Sequence, residues 1–549
     1  MNIASRLRQM AQQRPYQRAV VAPISRDSAG RVTYSHHTFQ QLDQESDRIA
    51  ASFKKIGIAR GMRTVMMVRP GLDFFAVTFA LFKSGAIPVV VDPGMGLGRM
   101  IRCLQETAPQ AFIGIPMAHV VRKLFPGRFK SVSHTVTVGR RWFWGGHSLS
   151  SLSEAAWQPF QMLETKTDDT AAILFTTGST GPAKGVLYTH GVFDAQIRQI
   201  RRHFGIEPGE VDLPTFPLFA LFDPALGMTA VIPDMDPTRP AHVKPERILE
   251  PIFDHGVTNM FASPALLHRV GLYGKNAGIK LPSLRRVVSA GAPVSPANIE
   301  QFSTMLTGDA EVHTPYGATE AVPVTSIGSR VILSETKPLS EQGYGNCVGQ
   351  PLTDIDLCII RISDSPISHW SDDLLVSDSE IGEIVVKGDL VTRKYYRRPK
   401  ADMISKIPGT DCIRHRMGDL GWQDKKGRIW YCGRKDHRVK TQQGELYTIP
   451  CEAIFNQHPQ VFRSALVGVG PKENQKPVIC IEPVSGKRKP NVKLLRKELT
   501  QLAQQHPLTQ GIDTILFHKS FPVDIRHNAK IFREKLAVWA ARKVRIKKT

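Results

Sequence analysis

The chain is poor in acidic residues. Its 549 residues contain 49 Asp and Glu against 72 Lys and Arg, which gives a formal net charge of +23. A positive excess of this size favours anionic partners such as nucleotides, acidic lipids or nucleic acid. A zinc-finger spacing, an aromatic RNA-binding string and a long basic helix with heptads are all missing, so we expect no nucleic-acid partner.

Cysteine is sparse and scattered. None of the seven cysteines belongs to a Cys-x-x-Cys pair, which argues against both a structural zinc site and a disulfide framework. Reduced, packed thiols are typical of a cytoplasmic protein. We therefore predict a cytoplasmic location.

Long hydrophobic runs are missing as well. The longest begins at Phe74 and meets Lys83 after nine residues, which is too short to cross a bilayer. The first ten residues lack the apolar core of a signal peptide. We expect no transmembrane segment, so that any contact with a membrane would be peripheral.

The pattern of hydrophobic residues predicts two domains. A chain of this length exceeds one ordinary domain, and its early part alternates helical patterns (74–82) with short apolar runs (64–68, 89–91, 111–115). This alternation predicts parallel sheets covered by helices.

Residues 140–159 lack periodicity and are interpreted as a surface connection. A polar, charged run at 433–444, with little to bury, precedes a shorter α+β pattern. We predict a large α/β domain of layered sheets and helices over 1–435, and a small, mobile α+β domain over 436–549.

A loop rich in glycine and hydroxyl groups follows an apolar run at 171–175. Residues 173–191 read ILFTTGSTGPAKGVLYTHG, and the candidate phosphate-binding residues in them are Thr176, Thr177, Gly178, Ser179, Thr180, Gly181 and Lys184. Glycine lets the backbone approach a ligand, and hydroxyls and a lysine add donors and charge, which suits a triphosphate. The loop is not a Walker A motif, because Lys184 is followed by glycine. Taken alone, it is equally typical of a surface hairpin.

The loop resembles the signature of the adenylate-forming superfamily, which includes acyl-CoA synthetases, luciferases and nonribosomal-peptide adenylation domains. Further strings of that family follow in order: SAGAP (289–293), YGATE (316–320), RMGDL (416–420), GRKD (433–436) and FPVDIRHNAKIFREKL (521–536). The resemblance covers residues 30–540 approximately. It implies the fold of that superfamily and an enzyme that uses ATP and Mg²⁺ to convert a carboxylate into an acyl-adenylate.

The resemblance also implies a role for each matching residue. Adenine would lie against Gly291, Ala292 and Pro293 and against the ring of Tyr316, next to Gly317. Asp419 would accept hydrogen bonds from both ribose hydroxyls, as two carboxylate oxygens can, and Arg434 would reach the ribose or phosphate. Thr319 would contact the α-phosphate, and Glu320 with Thr177 would hold Mg²⁺. Lys530 would bridge the attacking carboxylate and the α-phosphate, although Ala529 stands where the family usually has glycine. Asp436 matches the family's hinge.

Three segments resemble one branch of the superfamily, the β-lactone-forming synthetases of bacterial long-chain olefin biosynthesis. They are residues 89–96, 214–240 and 526–530. Ala220 stands where many acyl-CoA synthetases have histidine. The resemblance implies adenylation of a long-chain 2-alkyl-3-hydroxy fatty acid, attack by its own 3-hydroxyl to give a β-lactone, and association with other enzymes of the same pathway. A long-chain acyl-CoA or acyl-AMP ligase remains the alternative. His190 and His313 are weak candidates for the base.

Substitution of Lys530 tests the site and its register. If its charge stabilises the adenylation transition state, Lys530→Ala lowers kcat for pyrophosphate release on the order of 10²–10³-fold. ATP binding should change little, because Asp419, Tyr316 and the phosphate loop belong to the other predicted domain. The control is Lys535→Ala, which should be nearly silent as a solvated charge. If Lys535→Ala strongly lowers kcat for pyrophosphate release while Lys530→Ala leaves it unchanged, the motif is misaligned.

Overall fold

In a computed structural model of the chain, the described residues are 2–154, 157–175, 183–409, 412–484, 491–523 and 530–544. They form three large sheets with helical cover, followed by a smaller domain built on a three-stranded sheet. The prediction of an α/β fold with a smaller C-terminal α+β domain is confirmed.

The strands, in chain order, are β1 (Arg18–Arg26), β2 (Val32–Thr38), β3 (Arg63–Met67), β4 (Ile87–Val91), β5 (Ala111–Gly114), β6 (His134–Thr137), β7 (His147–Ser148), β8 (Thr170–Phe175), β9 (Gly185–Thr189), β10 (Val211–Pro214), β11 (Thr229–Val231), β12 (Asn259–Ala262), β13 (Arg286–Ser289), β14 (Glu311–His313), β15 (Tyr316–Ala318), β16 (Ala321–Ser326), β17 (Asn346–Pro351), β18 (Asp356–Ile360), β19 (Gly382–Lys387), β20 (Lys406–Pro408), β21 (Ile413–Gln423), β22 (Ile429–Arg434), β23 (Val439–Thr441), β24 (Gly444–Leu446), β25 (Val461–Val469), β26 (Lys476–Pro483) and β27 (Thr514–Phe517).

The α-helices, in chain order, are α1 (Ser5–Gln13), α2 (Phe39–Lys55), α3 (Leu72–Ser84), α4 (Leu97–Glu106), α5 (Pro116–Leu124), α6 (Leu149–Ser153), α7 (His190–Phe204), α8 (Pro217–Ala220), α9 (Asp223–Leu226), α10 (Glu246–His255), α11 (Pro264–Asn276), α12 (Pro296–Ser303), α13 (Ser329–Val331), α14 (Lys337–Glu341), α15 (Pro399–Ser405), α16 (Thr448–Asn456), α17 (Val492–Gln504) and α18 (Arg533–Lys543).

Two of the large sheets share one design, in which six parallel strands end in an antiparallel edge strand. The first has the order β14-β13-β12-β10-β11-β1-β2, and the second β7-β6-β5-β3-β4-β8-β9. Parallel strands need covered faces, which explains the apolar runs of the sequence. In the second sheet, β8 and β9 flank the candidate phosphate loop, so the loop connects an antiparallel pair at the sheet edge.

Helix α3 accounts for the longest apolar run. It packs against α2, and every position from Phe74 to Ser84 is buried. A helix that is apolar all round needs burial on every side, and α3 has it within the large domain. In the described part of the chain, no helix is long and apolar enough to cross a membrane.

The third large sheet is antiparallel and leads to the small domain. Its order is β15-β16-β17-β22-β21-β19-β18, with β20 paired to β21. The chain leaves β22 through a 3₁₀ turn at Lys435–His437 and enters the hairpin β23–β24. The small sheet then follows in the order β25-β26-β27, packed with α16, α17 and α18.

Two stretches are better ordered than the sequence predicts. The segment at 140–159 is not only a surface connection, because it contains β7 and α6, and the buried Trp144 stacks on the His119 ring. The polar run at 433–444 also has more to bury than predicted. Lys435 and Val439 are both buried, and ion pairs compensate the charges of that run. Periodicity does not reveal such pairing, because the partners lie far away in sequence.

A buried ion cluster joins the third sheet to the turn that follows it. Glu383 accepts hydrogen bonds from Arg416 at 2.6 Å and from Lys435 at 2.9 Å. Glu383 and Arg416 are fully buried, and Lys435 is almost so. One carboxylate therefore compensates two buried cations, and it holds β19, β21 and the turn together.

Glu383→Ala should destabilise the fold strongly, because it leaves two buried cations without their carboxylate. Removal of one partner of a buried ion pair costs about 3–5 kcal/mol, which should lower the midpoint of urea unfolding. The matched control is Glu380→Ala, since Glu380 is exposed just before β19. Equal midpoints for the two variants would contradict the role given to the cluster.

Candidate active site

The structure gathers the described candidate residues around one cavity. The cavity has a volume of about 1050 Å³. The predicted site residues that line it are Lys184, Gly291, Ala292, Pro293, Tyr316, Gly317, Thr319, Glu320, Asp419, Arg434 and Lys530. Residues 176–181, also predicted for the site, lie outside the described residues. The assembly of distant motifs is therefore observed, while the role of each residue stays a prediction.

Two glycines of the site are required by the backbone. Gly291 follows β13 with φ of +94°, in the left-handed region that favours glycine. At Gly317, in β15, an added Cβ would lie 2.6 Å from the carbonyl oxygen of Ala321. At these two glycines the main chain reaches the cavity wall without a side chain in between, which suits the approach of a flat ring.

An ion-paired carboxylate lies next to the ring of Tyr316. The Tyr316 hydroxyl donates to Asp419 Oδ2 at 2.6 Å, and Arg434 Nη1 donates to Asp419 Oδ1 at 2.8 Å. Asp419 and Arg434 face each other across the paired strands β21 and β22. Burial, and then the Asp419 charge, raise the pKa of Tyr316 well above its usual range, so the phenol remains a donor. The Asp419 charge likewise raises the pKa of Arg434.

Glu320 is held from behind by a tyrosine and a threonine. Tyr395 donates to Glu320 Oε1 at 2.5 Å, and Thr392 donates through both its backbone N–H and its hydroxyl to the Glu320 carbonyl, at 2.9 and 3.0 Å. Burial, followed by the Glu320 charge, raises the pKa of Tyr395. The Glu320 carboxylate is therefore fixed by a neutral donor rather than by a salt bridge.

Two lysines contact the ring of Tyr395. Lys184 Nζ lies 4.8 Å from the ring centroid, and Lys406 Nζ lies 5.7 Å from it. Lys406 is buried and donates to the Thr392 carbonyl. Burial lowers the pKa of Lys406 to about 8. Lys184, from the candidate phosphate loop, is thus in contact with Tyr395, the residue that holds the Glu320 carboxylate.

The donor set at Glu320 fits a magnesium ion that bridges phosphates. Within the described residues, Oε1 is bound to Tyr395 and Oε2 has no hydrogen bond or ion pair. No cluster of three or more His, Cys, Asp or Glu gathers in those ranges. One hard oxygen ligand with room beside it is what Mg²⁺ requires when phosphates and water complete its octahedron.

Part of the cavity wall is apolar. It is lined by aromatic rings of α3, α7, α8 and their neighbours: Phe79, Phe82, Phe193, Phe216, Phe219, Phe222 and Phe261. Ala220, where many relatives of the superfamily have histidine, is fully buried in α8. Such a wall suits a hydrocarbon chain.

The small domain completes the cavity beside Lys530. Arg533 and Glu452 also line it, and they form an ion pair at 2.6 Å. His437, in the turn after β22, lies on the same wall. Residues on both sides of the predicted domain boundary therefore meet at the site.

The two histidines proposed as bases are placed unfavourably. Neither His190 nor His313 is among the described residues that line the cavity. His190 is buried and accepts a hydrogen bond from the backbone N–H of Ile3, and burial lowers its pKa to about 4. His313 packs edge-on against Phe204. We therefore withdraw both as candidates.

Sequence reasoning missed the residues that support the motifs. Tyr188 donates to the Thr319 carbonyl at 2.5 Å, and Gln196 and Tyr395 lie next to the motif at 316–320 in space. Tyr188 belongs to the string at 173–191 that was quoted for the phosphate loop, so its closeness to the site could have been predicted from that string. Nothing in the sequence marks Gln196, Tyr395 or Lys406.

Comparison with known proteins defines the class of enzyme. The family of AMP-binding enzymes matches residues 7–396. The chain belongs to this family and is an AMP-forming ligase. It is 47% identical to the olefin β-lactone synthetase of Xanthomonas campestris pv. campestris, over 98% of this chain and 97% of that protein. It is 46% identical to the olefin β-lactone synthetase of Stenotrophomonas maltophilia, over 98% of each chain. Both likenesses bear out the resemblance to the β-lactone-forming branch.

The fold is shared with solved structures of low sequence identity. The amide bond synthetase McbA from Marinactinospora thermotolerans superposes with a TM-score of 0.80 at 20% identity, over 98% of this chain and 99% of that one. At this identity the likeness shows the fold alone.

Proposed function

We propose that this enzyme activates a long-chain 2-alkyl-3-hydroxy fatty acid with ATP and Mg²⁺ and closes it to a β-lactone. The observation that carries the proposal is a cavity lined both by charged groups and by a cluster of aromatic rings. The likeness to two olefin β-lactone synthetases over nearly the whole chain supports the choice of reaction. A cytoplasmic location belongs to the same proposal.

In the first step, a carboxylate oxygen of the acid attacks the α-phosphorus of ATP and pyrophosphate leaves. Tyr316, Asp419 and Arg434 hold the nucleoside, and Lys184 meets the phosphates. Lys530 offsets the charge that develops between carboxylate and α-phosphate. Mg²⁺, held by Glu320 and Thr177, would neutralise phosphate charge.

In the second step, the 3-hydroxyl oxygen attacks the activated carbonyl carbon. The bond from that carbon to the AMP oxygen breaks, AMP leaves with the bonding electrons, and the hydroxyl proton is released. The nucleophile belongs to the same molecule, so positioning contributes on the order of 7–11 kcal/mol in favourable cases. An apolar wall that fixes the chain serves this step directly.

We also propose that the domains divide between residues 435 and 436 and that the small domain rotates about Asp436. This residue lies in the short turn between β22 and β23. The ion pair between Arg438 and Asp364, at 2.9 Å, would break or re-form in the movement. Small-angle scattering that is unchanged by ATP and a non-hydrolysable acyl-adenylate analogue would contradict it.

Product analysis separates lactone synthesis from the alternative, a long-chain acyl-CoA or acyl-AMP ligase. We expect ATP, Mg²⁺ and a long-chain 3-hydroxy acid to give a β-lactone, AMP and pyrophosphate, with no change when CoA is added. Mass analysis of the products is the measurement. A CoA thioester, or an acyl-adenylate that accumulates without ring closure, would support the alternative.

A basic stretch of the chain with exposed aromatic residues supports the proposed peripheral membrane contact. Residues 107–153 contain six Lys and Arg and no Asp or Glu. In this stretch, Phe143 is 82% exposed, and Trp142 and Leu124 are exposed as well. Trp144 fixes the loop of Phe143 and Trp142 on α5 by stacking on His119. Cations together with exposed aromatic residues suit an anionic lipid surface. Association with other enzymes of the same pathway remains an expectation.

Vesicle sedimentation tests this surface. Binding to phosphatidylglycerol vesicles should fall as salt rises, because charges are screened over about 8 Å at physiological ionic strength. Phe143→Ser should release the protein, while Phe253→Ser, which changes an exposed phenylalanine of α10, should not. Salt-independent binding, or equal binding of both variants, would contradict the proposal.

A further inference from the structure

A buried side chain that lines the cavity has a hydrogen-bond acceptor without a partner in the described part of the chain. Gln196, on α7, is 2% exposed and lines the cavity. Its Oε1 has no hydrogen-bond partner within the described residues. A buried polar atom left unpaired costs about 1–3 kcal/mol of folding stability. We therefore expect a ligand of this cavity to supply a hydrogen-bond donor to it.

The orientation of the Gln196 amide is fixed by its other end. Nε2 donates to the carbonyl oxygen of Val322 at 2.9 Å. Only the amide nitrogen can donate to a carbonyl, so this contact settles which end is which. Oε1 is therefore the end without a protein partner.

Gln196 lies near both charged and aromatic residues of the cavity. Its contact Val322 lies two residues after Glu320. On the other side, its neighbours along α7, Phe193 and Ile197, belong to the apolar wall. Tyr188, which also lines the cavity, commits its proton to the Thr319 carbonyl at 2.5 Å. The Gln196 acceptor is thus close both to the motif proposed to bind the activated carboxyl group and to aromatic residues that suit the chain.

We propose that Gln196 Oε1 accepts a hydrogen bond from the 3-hydroxyl group of the substrate. An unsubstituted fatty acid offers no donor there, whereas a 3-hydroxy acid carries one two carbons from its carboxyl group. The bond turns the hydroxyl hydrogen towards Gln196 and leaves the oxygen lone pairs free to face the acyl carbon. Gln196 thereby selects hydroxy acids and orients the nucleophile. The inference rests on the proposed function and names the group that recognises its substrate.

Gln196→Met removes the acceptor at nearly constant size. Gln196→Glu keeps an acceptor and, because burial favours the protonated carboxyl group, also a donor for the Val322 carbonyl. The control is Gln199→Met, since Gln199 is on the same helix and also donates its amide to a backbone carbonyl, that of Thr353, but does not line the cavity. Adenylation is followed by ATP–pyrophosphate exchange with a 3-hydroxy acid and with an unsubstituted acid of equal length. Lactone is quantified in parallel.

We expect Gln196→Met to lower the preference for the hydroxy acid, measured as the ratio of kcat/KM values, by roughly ten-fold, as for one lost hydrogen bond. The unsubstituted acid should be adenylated as in the wild type. Gln196→Glu should keep most of the preference, and Gln199→Met all of it.

Three outcomes would overturn the proposal. They are an equal loss with both acids, an equal loss in Gln196→Met and Gln196→Glu, and no loss at all. The first two would assign Gln196 a structural role through Val322. If the wild type forms no lactone from any 3-hydroxy acid, the proposed function fails, while the ratio of adenylation rates still decides the role of Gln196.

Discussion

The pairing of strands β21 and β22 sets the geometry on which the site depends. Their register places Asp419 opposite Arg434, so a carboxylate and a guanidinium meet at 2.8 Å without help from any loop. The same two strands carry Arg416 and lead directly into Lys435, the two cations that Glu383 compensates. The proposed nucleotide site and the proposed hinge are therefore built on one antiparallel pair, and a slip of one residue would turn these side chains to the other face.

Neutral donors hold the charged groups of the site from outside. Tyr316 binds Asp419, and Tyr395 binds Glu320, and burial keeps both phenols protonated. A carboxylate fixed by a neutral donor keeps its charge for a ligand, whereas one fixed by a cation is already compensated. By this distinction Glu320 is a candidate metal ligand, whereas Glu383, which is paired with both Arg416 and Lys435, is structural.

The sequence predicted the residues that line the cavity better than the residues that support them. Asp419, Arg434, Tyr316 and Glu320 lie in strings with a fixed order, and all four reach the cavity. Tyr395 escaped prediction because it stands 75 residues from Glu320, and no local pattern encodes that contact. Gln196 escaped because its environment is created by the packing of α7 on β16.

The fold was predictable from periodicity to a similar extent. Alternating strands and helices indicated parallel sheets, and α3 and β3 to β5 lie within a few residues of the predicted bounds. The run at 433–444 was interpreted as a polar connection, because its charges have partners only in the folded chain. Long-range pairing, rather than local propensity, is what the sequence leaves undetermined.

The central claim is that ATP activates the carboxyl group and that the 3-hydroxyl then closes the ring. Oxygen labelling tests it most directly. With ¹⁸O in the 3-hydroxyl, the account predicts that all label appears in the lactone ring, and with ¹⁸O in the carboxylate, that AMP carries one labelled oxygen. Label from the 3-hydroxyl in AMP would show that the hydroxyl is the activated group and would contradict the account.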